Sequence, residues 1–492
     1  MAWYDRFLPK PKRRSGFRRS YAGAQGGRLF ADWTTSNASA DQEISGALQT
    51  LRDRSRALAR NDGYISRYLK MLVNNVIGHN GIRLSCKARN DDGTLDVQGN
   101  QTIERAWNDW SRFGMCTANG RQSFIDCQQL FVESLARDGE SLIRHLRSDN
   151  PYGYQIQFLE SDHLDEQYNT KNRDSGNSVI MGVEVNQFGK PVAYYILKNH
   201  PGNTTQYNFN SKYIRLPAED IIHGYYPTRA EQTRGVPWTS SVLARMKMLS
   251  GFEESAVVNA RVGASKMGFL VSPDGEDYIG EDTENTYTPV MDASPGSIEQ
   301  LPAGTEFKSW NPDYPNTTFE PFQKAILRGI ASGLNVSYVS LSNNLEGVNY
   351  SSIRQGVMED RDNFKILQRF TTDHFIDPVF RRWLEAAMTT GAIDIPITKY
   401  EKFANSANFI PRSWTYVNPL QEMQAQILGM QNGQTTMQDV QSNFGRDVEE
   451  LMETINREKA LAEQYGIETA FEPFGVQKQP VPPEIINEEN NQ

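Results

Sequence analysis

The chain has 492 residues, 38% hydrophobic and 23% charged, which is enough for two or three compact domains and lies within the ordinary soluble range. Its formal net charge of −9 is unevenly spread: in the first twenty residues Arg6, Lys10, Lys12, Arg13, Arg14, Arg18 and Arg19 face Asp5 alone, so the rest is more acidic than the total. An acidic body argues against phosphate clamping over a large surface, and the lack of any apolar run of about 18 residues gives no support to a membrane span.

The N-terminus lacks the apolar segment of a secretory signal, although its basic composition alone leaves a transit peptide open. Three cysteines, Cys86, Cys116 and Cys127, show no ligand spacing and read as free, buried thiols in a reducing compartment.

Residues 1–37 are rich in Arg, Gly and Ser without sustained periodicity and read as a flexible basic arm. A first helix is predicted from Asp41 to Arg60, with Ile44, Leu48, Leu51 and Leu58 on one stripe and Asn61-Asp62-Gly63 as its stop. A second turns Tyr64, Ile65, Tyr68, Leu69, Leu72, Val73 and Val76 inward and closes at Gly78. Two more are read over Gln101–Phe113 and Ser123–Arg137, the latter capped by Ser123. From Ser141 to Tyr226 the period becomes that of strands: Tyr154–Leu159 alternates, and Val179–Val185 is expected to pair with Pro191–Leu197 across Asn186–Lys190. The first part is therefore α+β.

A long helix is predicted from Thr239 to about Met267, led in by Pro237 and Trp238, with Val242, Met246, Leu249, Phe252, Ala256, Ala260 and Gly263 at helical spacing. Small residues crowd its far end (Ala256, Ala260, Gly263, Ala264) and permit close approach of a neighbouring backbone. A turn-rich, β-containing insertion over roughly Gly268–Pro315 holds the acidic run Asp274, Glu276, Asp277, Glu281, Asp282 and Glu284. The chain returns through a helix near Thr318–Leu334, striped by Phe319, Phe322, Ile326, Ile330 and Leu334. After a polar loop, Ser342–Tyr350, a very long helical pattern opens at Ser351 or Ser352 and runs to about Thr390, with Pro378 expected to kink it. Residues 418–466 read as shorter helices separated by Gly433 and Gly445, and the Pro/Glu/Asn-rich tail from Glu472 as disordered.

The chemistry of common enzymes is missing from the pattern. There is no GxxxxGK[ST] phosphate loop, no HExxH and no EF-hand loop, and Gly263-Ala-Ser-Lys-Met-Gly268 has the wrong spacing for a nucleophile elbow. The histidines His79, His145, His163, His200, His223 and His374 are scattered without triad or ligand spacing. The acidic run could hold a hard divalent cation or stand as a solvated loop.

Four stretches resemble the lambda-type tailed-bacteriophage portal proteins. The first is His223-Gly-Tyr-Tyr-Pro-Thr-Arg-Ala-Glu-Gln-Thr-Arg-Gly-Val-Pro-Trp238, similar to that family's signature out of its wing region. The second is Pro295-Gly-Ser-Ile-Glu-Gln-Leu-Pro-Ala-Gly-Thr-Glu306. The third is Ile330-Ala-Ser-Gly-Leu-Asn-Val336 followed by Asn349-Tyr-Ser-Ser-Ile-Arg354. The fourth is Asn418-Pro-Leu420 with Gly445-Arg-Asp-Val-Glu-Glu450, Asn418 standing where an aspartate is more usual. They fall in order over roughly residues 220–460.

The resemblance implies a non-enzymatic α+β portal fold without cofactor or metal, forming a homo-oligomeric ring of about a dozen copies at one capsid vertex of the virion after assembly in the host cytoplasm. On this scheme the basic arm is 1–37, the wing 38–236, the first stem helix 237–267, the clip 268–315 and the second stem helix 316–335. The tunnel loop region is then 336–350, the kinked helix with its return to the wing 351–417, the helical crown 418–470 and the tail 471–492. Expected partners are the major capsid and scaffolding proteins, the terminase large subunit, a head–tail connector and double-stranded DNA passing through the channel, with no membrane.

Asn343, Asn344, Asn349 and Tyr350 are the expected channel contacts, Tyr350 either brushing the duplex or anchoring the loop against Ile353 and Val357. Lys324 and Arg328, four apart on the polar face of the return helix, are the candidates for transient phosphate contacts, and Asp274, Glu276, Asp277, Glu281, Asp282 and Glu284 for docking the motor. The alternatives are another virion structural protein, such as a head–tail adaptor, or a carboxylate-dependent nuclease.

Overall fold

The computed structural model describes residues 28, 35–172, 174–203, 213–264, 268–271, 306–309, 319–347, 350–414, 419–442, 444 and 448–467. Nearly all of the basic arm, the acidic run Asp274–Glu284, most of the second matched stretch, Asn349, Asn418 and the tail lie outside the described residues.

The first predicted helix is two: α1 (Ala40–Ser45) and α2 (Leu48–Asn61), divided at Gly46. Asp62 is less a stop than a start, because its side chain accepts the Ile65 N–H at 2.9 Å and caps α3 (Gly63–Val76). Strand β1 (Arg83–Cys86) leads to α4 (Val97–Trp110) and then α5 (Phe124–Asp138), whose N-terminus carries the reciprocal Ser123–Asp126 capping box.

The strands follow: β2 (Glu140–Arg147), β3 (Tyr154–Leu159), β4 (Thr170–Lys171), β5 (Ser178–Ile180), β6 (Val183–Val185), β7 (Pro191–Leu197), β8 (Tyr213–Pro217) and β9 (Ile221–Tyr225). They form an antiparallel sheet in the order β3-β2-β9 and a five-stranded meander from β4 to β8. The expected single strand Val179–Val185 is instead a hairpin. Met181 (φ 47°) and Gly182 (φ 84°) both adopt the left-handed conformation and fold β5 back on β6, while the β6–β7 pairing across Asn186–Lys190 forms as read.

Strand β2 divides two cores by its two-residue period. Leu142 joins Leu164, Val183, Tyr194, Ile196 and Leu216 between the sheets, whereas Ile143 faces the helices.

The second half comprises α6 (Leu243–Ala264), the antiparallel pair β10 (Gly268–Val271) and β11 (Glu306–Ser309), and α7 (Phe319–Gly333). Then come α8 (Tyr338–Ser342), α9 (Tyr350–Thr371), α10 (Asp377–Thr389), α11 (Tyr400–Ala404), β12 (Ala407–Ile410), α12 (Pro419–Gln431), α13 (Met437–Ser442) and α14 (Val448–Gln464). The helix α6 starts four residues later than predicted because Thr239–Val242 is a turn, with Val242 N–H bonded to Thr239 O. Where Pro378 was expected to act as a kink, α9 and α10 are joined by a wide π-turn over Thr372–Ile376. Asp377 N–H reaches back to Thr372 O, and Pro378, which has no N–H to give, then sits in the first turn of α10.

This second half closes onto the first. β12 pairs with β1 from Arg83↔Ile410 to Cys86↔Ala407, and the rings of Trp107, Trp110, Phe124, Phe131, Phe375, Phe380 and Trp383 meet at centroid distances of 4.7–6.2 Å. Each of these buried aromatics is worth about 1.5–3 kcal/mol in area alone, so the helix after the π-turn is a load on the first domain's core as much as its own element. The fold is α+β, and no helix among the described residues is long and apolar enough to cross a membrane.

Candidate functional site

The segment leading out of β9 is organised by one buried glutamine. Gln232 accepts Thr228 N–H at 2.8 Å and donates to Arg234 O at 2.7 Å, while Tyr225 donates its hydroxyl to Gln232 O. Thr233 binds Asp41 of α1 through N–H and hydroxyl at 2.8 and 2.6 Å.

Arg234 follows, with no exposed surface. Its Nε donates to the Glu140 carboxylate at 2.9 and 3.1 Å, and its Nη1 to the carbonyls of Leu164 and Met181 at 2.9 Å each. Glu140, equally buried at the start of β2, also receives His223 Nε2–H at 2.9 Å, Gly235 N–H at 3.2 Å and Arg52 at 3.3 Å. Burial alone would raise the Glu140 pKa, but the Arg234 charge and its hydrogen bonds hold it well below the usual carboxylate range. Burial lowers the pKa of His223, so its imidazole remains a neutral donor to that carboxylate.

Around this pair Arg52, Arg56 and Arg137 engage Asp138, Asp162 and Glu166, the closest contacts being Arg56–Asp162 at 2.6 Å and Arg52–Glu166 at 2.8 Å. Next to it the backbones of Gly139 and Gly235 cross so closely that a Cβ on Gly235 would lie 2.0 Å from Gly139 O. Trp238 N–H then bonds Ala136 O, and Thr239 bonds Ser55 of α2. The segment 223–239 is thus pinned to α1, α2, α5 and β2 immediately before α6 departs, and its chemistry is that of a rigid joint.

Among the described residues one cluster, Glu160, Asp162 and His200, brings ligand atoms within reach of a common ion. His200 Nδ1 accepts Gly202 N–H at 3.1 Å, which puts the imidazole proton on Nε2, where it is donated to Glu160 at 3.0 Å. Arg56 already occupies Asp162. In this arrangement the three groups are partnered with one another and with Arg56.

The described channel candidates lie along α7 and just beyond its C-terminus, at the end of the α6–α7 pair where Ser241 donates to Gly333 O. Lys324 is half-buried and forms an ion pair with Glu320 one turn back; Arg328 is exposed, its guanidinium 5.6 Å from the Tyr338 ring centroid. Both flank α8. Asn343 (φ 56°) ends α8 and accepts Arg67 Nη2–H at 3.2 Å; Asn344 accepts Glu346 N–H at 2.9 Å. Each carboxamide oxygen is therefore committed to local structure. Tyr350 begins α9.

Sequence reasoning missed Arg52, Arg67, Glu140, Arg234 and Asp360. A signal existed for Arg52: it falls on the Leu48 stripe of α2, where a charge can lie only if it is buried with partners.

Residues 26–368 match the family model described as phage portal protein, lambda family, and the chain belongs to that family. It is 33% identical over 462 residues to the "Probable portal protein" of Halomonas phage phiHAP-1, covering 92% of this chain and 88% of that one. It is 23% identical over 490 residues to "Portal protein B" of Escherichia phage lambda, covering 88% and 90%. Among solved structures, a chain of "Neck of empty GTA particle computed with C6 symmetry" aligns over 81% of this chain and 93% of its own, at 14% identity and a TM-score of 0.42.

Proposed function

We propose that the chain is the subunit of a closed ring at one capsid vertex, through which double-stranded DNA is packaged, held and ejected. In this reading α6 and α7 are the stem, 38–236 the wing, 268–315 the clip and α12–α14 the crown.

The observation that carries it is α6. One side of this helix, with Met246 and Leu249, is buried in the chain's own core, yet Met248, Val257 and Val258 on its other sides are 51–71% exposed. Although Arg245, Lys247, Glu254 and Arg261 lie among them, these apolar side chains fall outside the helix's own buried stripe, and covering them would remove apolar surface from water. Identical neighbours on either side, in a heterologous contact that closes on itself, supply that cover. The acidic body suits a passage whose walls let phosphates slide. The signature joint at 223–239 sets the angle at which the stem leaves the wing, which a ring of identical subunits must hold constant.

The subunit is read as non-enzymatic, so packaging needs a separate motor, the terminase. Its dock is the clip, where Asp274, Glu276, Asp277, Glu281, Asp282 and Glu284 present a single sign of charge, while the connector and capsid partners bind elsewhere on the ring. Neutralising Asp274, Glu276 and Asp277 together is expected to weaken motor binding, most at low salt; equal binding at every salt concentration would remove that dock.

The primary test is electron microscopy with sedimentation of the purified full-length protein. Rings with an axial hole are expected, and a purely monomeric species at micromolar concentration would overturn the reading.

A further inference from the structure

The short helix after the stem is gripped from outside at both ends. Asp360 of α9, 5% exposed, accepts Ser337 N–H at 2.8 Å and the hydroxyls of Ser337 and Ser340 at 2.8 and 2.6 Å. Gly356, one turn earlier on the same face of α9, makes room for this approach: a Cβ there would stand 3.3 Å from that of Ser337. At the other end Arg67 of α3 donates from Nε to Ser340 O at 3.0 Å and from Nη2 to Asn343 Oδ1 at 3.2 Å. Asn343, left-handed at φ 56°, turns the chain from α8 into Asn344–Gly347. With five residues, α8 is far too short to hold itself as a helix, and Leu341 is its one buried side chain. Its position therefore comes from α3 and α9.

We infer that Arg67 and Asp360 are positioning residues: together they clamp α8 and so aim the segment Asn344–Gly347. This rests on the ring reading proposed above together with the expectation, from the family resemblance, that the loop after α8 faces the channel. A contact surface beside a moving duplex is useful only if its root does not swing, and the clamp ties that root to α3 and α9. Arg67 reaches a carbonyl and a carboxamide with two nitrogens of one planar fork, which a lysine cannot reproduce. Asp360 answers three donors at once, which an asparagine reproduces in part and a leucine not at all.

The experiment compares Arg67→Ala, Arg67→Lys, Asp360→Asn and Asp360→Leu in the full-length protein. Each is assembled into rings, then read by amide hydrogen exchange and by the fraction of particles that retain packaged DNA. Arg67→Ala and Asp360→Leu, which remove two and three charge-assisted hydrogen bonds, are expected to speed exchange across residues 338–343 at least about tenfold, with ring formation unchanged and DNA retention reduced. Asp360→Asn should recover most of both readouts and Arg67→Lys little, an order that a general loss of stability would not produce. Unchanged exchange in both Arg67→Ala and Asp360→Leu overturns the clamp itself. Faster exchange with full retention overturns its role, and does so by showing that the segment it aims is not the contact with DNA.

Discussion

Replacing Arg234 by methionine keeps the apolar stem of the side chain and removes the guanidinium from a site with no exposed surface. Four acceptors lose this donor: the Glu140 carboxylate and the carbonyls of Leu164, Met181 and, at 3.4 Å, Ser161. Removing one member of a buried ion pair costs about 3–5 kcal/mol, and each stranded carbonyl adds about 1 kcal/mol or more. Glu140 keeps Arg52, His223 and the Gly235 N–H, which argues for the lower end of the ion-pair range, about 5 kcal/mol or more in all.

A chain of this length does not unfold in one step. The relevant signal is the calorimetric transition that coincides with loss of the tryptophan environment around Trp107 and Trp110, and it is expected to fall by about 10 °C. Adding Glu140→Leu to Arg234→Met removes the orphaned charge and should restore part of the loss. A single-variant shift under about 3 °C, or a double variant worse than the two single changes combined, would refute the view that the joint is held by paired charge.

Further outcomes follow from the same geometry. Gly235→Ala forces a Cβ into Gly139 O and is expected to abolish soluble expression, whereas Gly347→Ala, also a backbone change but with open space around it, should cost only about 1–2 kcal/mol of left-handed strain in a melt. Glu184, held by hydrogen bonds from Arg215, Asn177, Asn172 and Ser175, has its pKa pulled down to about 2. A carboxylate depressed in the folded state stabilises it fully above its unfolded value of about 4.3 and loses that contribution as pH falls toward 2. Near-ultraviolet circular dichroism on acidification should show a steep loss in this window, and Glu184→Gln should flatten it. Val257→Asp with Val258→Asp is expected to leave the subunit's melting within about 0.5 kcal/mol of the parent while sedimentation shows loss of rings.

The helices with regular apolar stripes, α3 and α5, were legible from their periodicity, and for α5 the cap agrees with it at Ser123; Asp62, the cap of α3, reads equally as the stop of the helix before it. The α1–α2 break was not, since Ile44, Leu48 and Leu51 continue one stripe straight across Gly46. The β5–β6 hairpin was hidden because a methionine takes one of its two left-handed positions, leaving Gly182 as the lone hint. Four-motif resemblance located the joint at 223–238, but not what it does. Arg234 and Glu140 are 94 residues apart, and a charged residue in a linear pattern reads as solvent-facing until its partner is brought to it. For the same reason Asn343 and Asn344 read as free amides, though Arg67 and the Glu346 backbone already use them.

The wide turn at Thr372–Ile376 limits how this lineage can change length. One helical residue advances the face by about 100°, so the additional residue held in that turn sets the phase of everything after it. Phe375, Val379, Trp383 and Ala387, four apart and all without exposed surface, face the aromatic core only in that phase. Loss of a single codon here would tighten the turn into ordinary helix and swing Phe380 and Trp383 toward solvent, while the same loss in the exposed stretch Thr389–Ala392 would be absorbed. Insertions and deletions among related chains are therefore expected to avoid 372–388 and collect just beyond it.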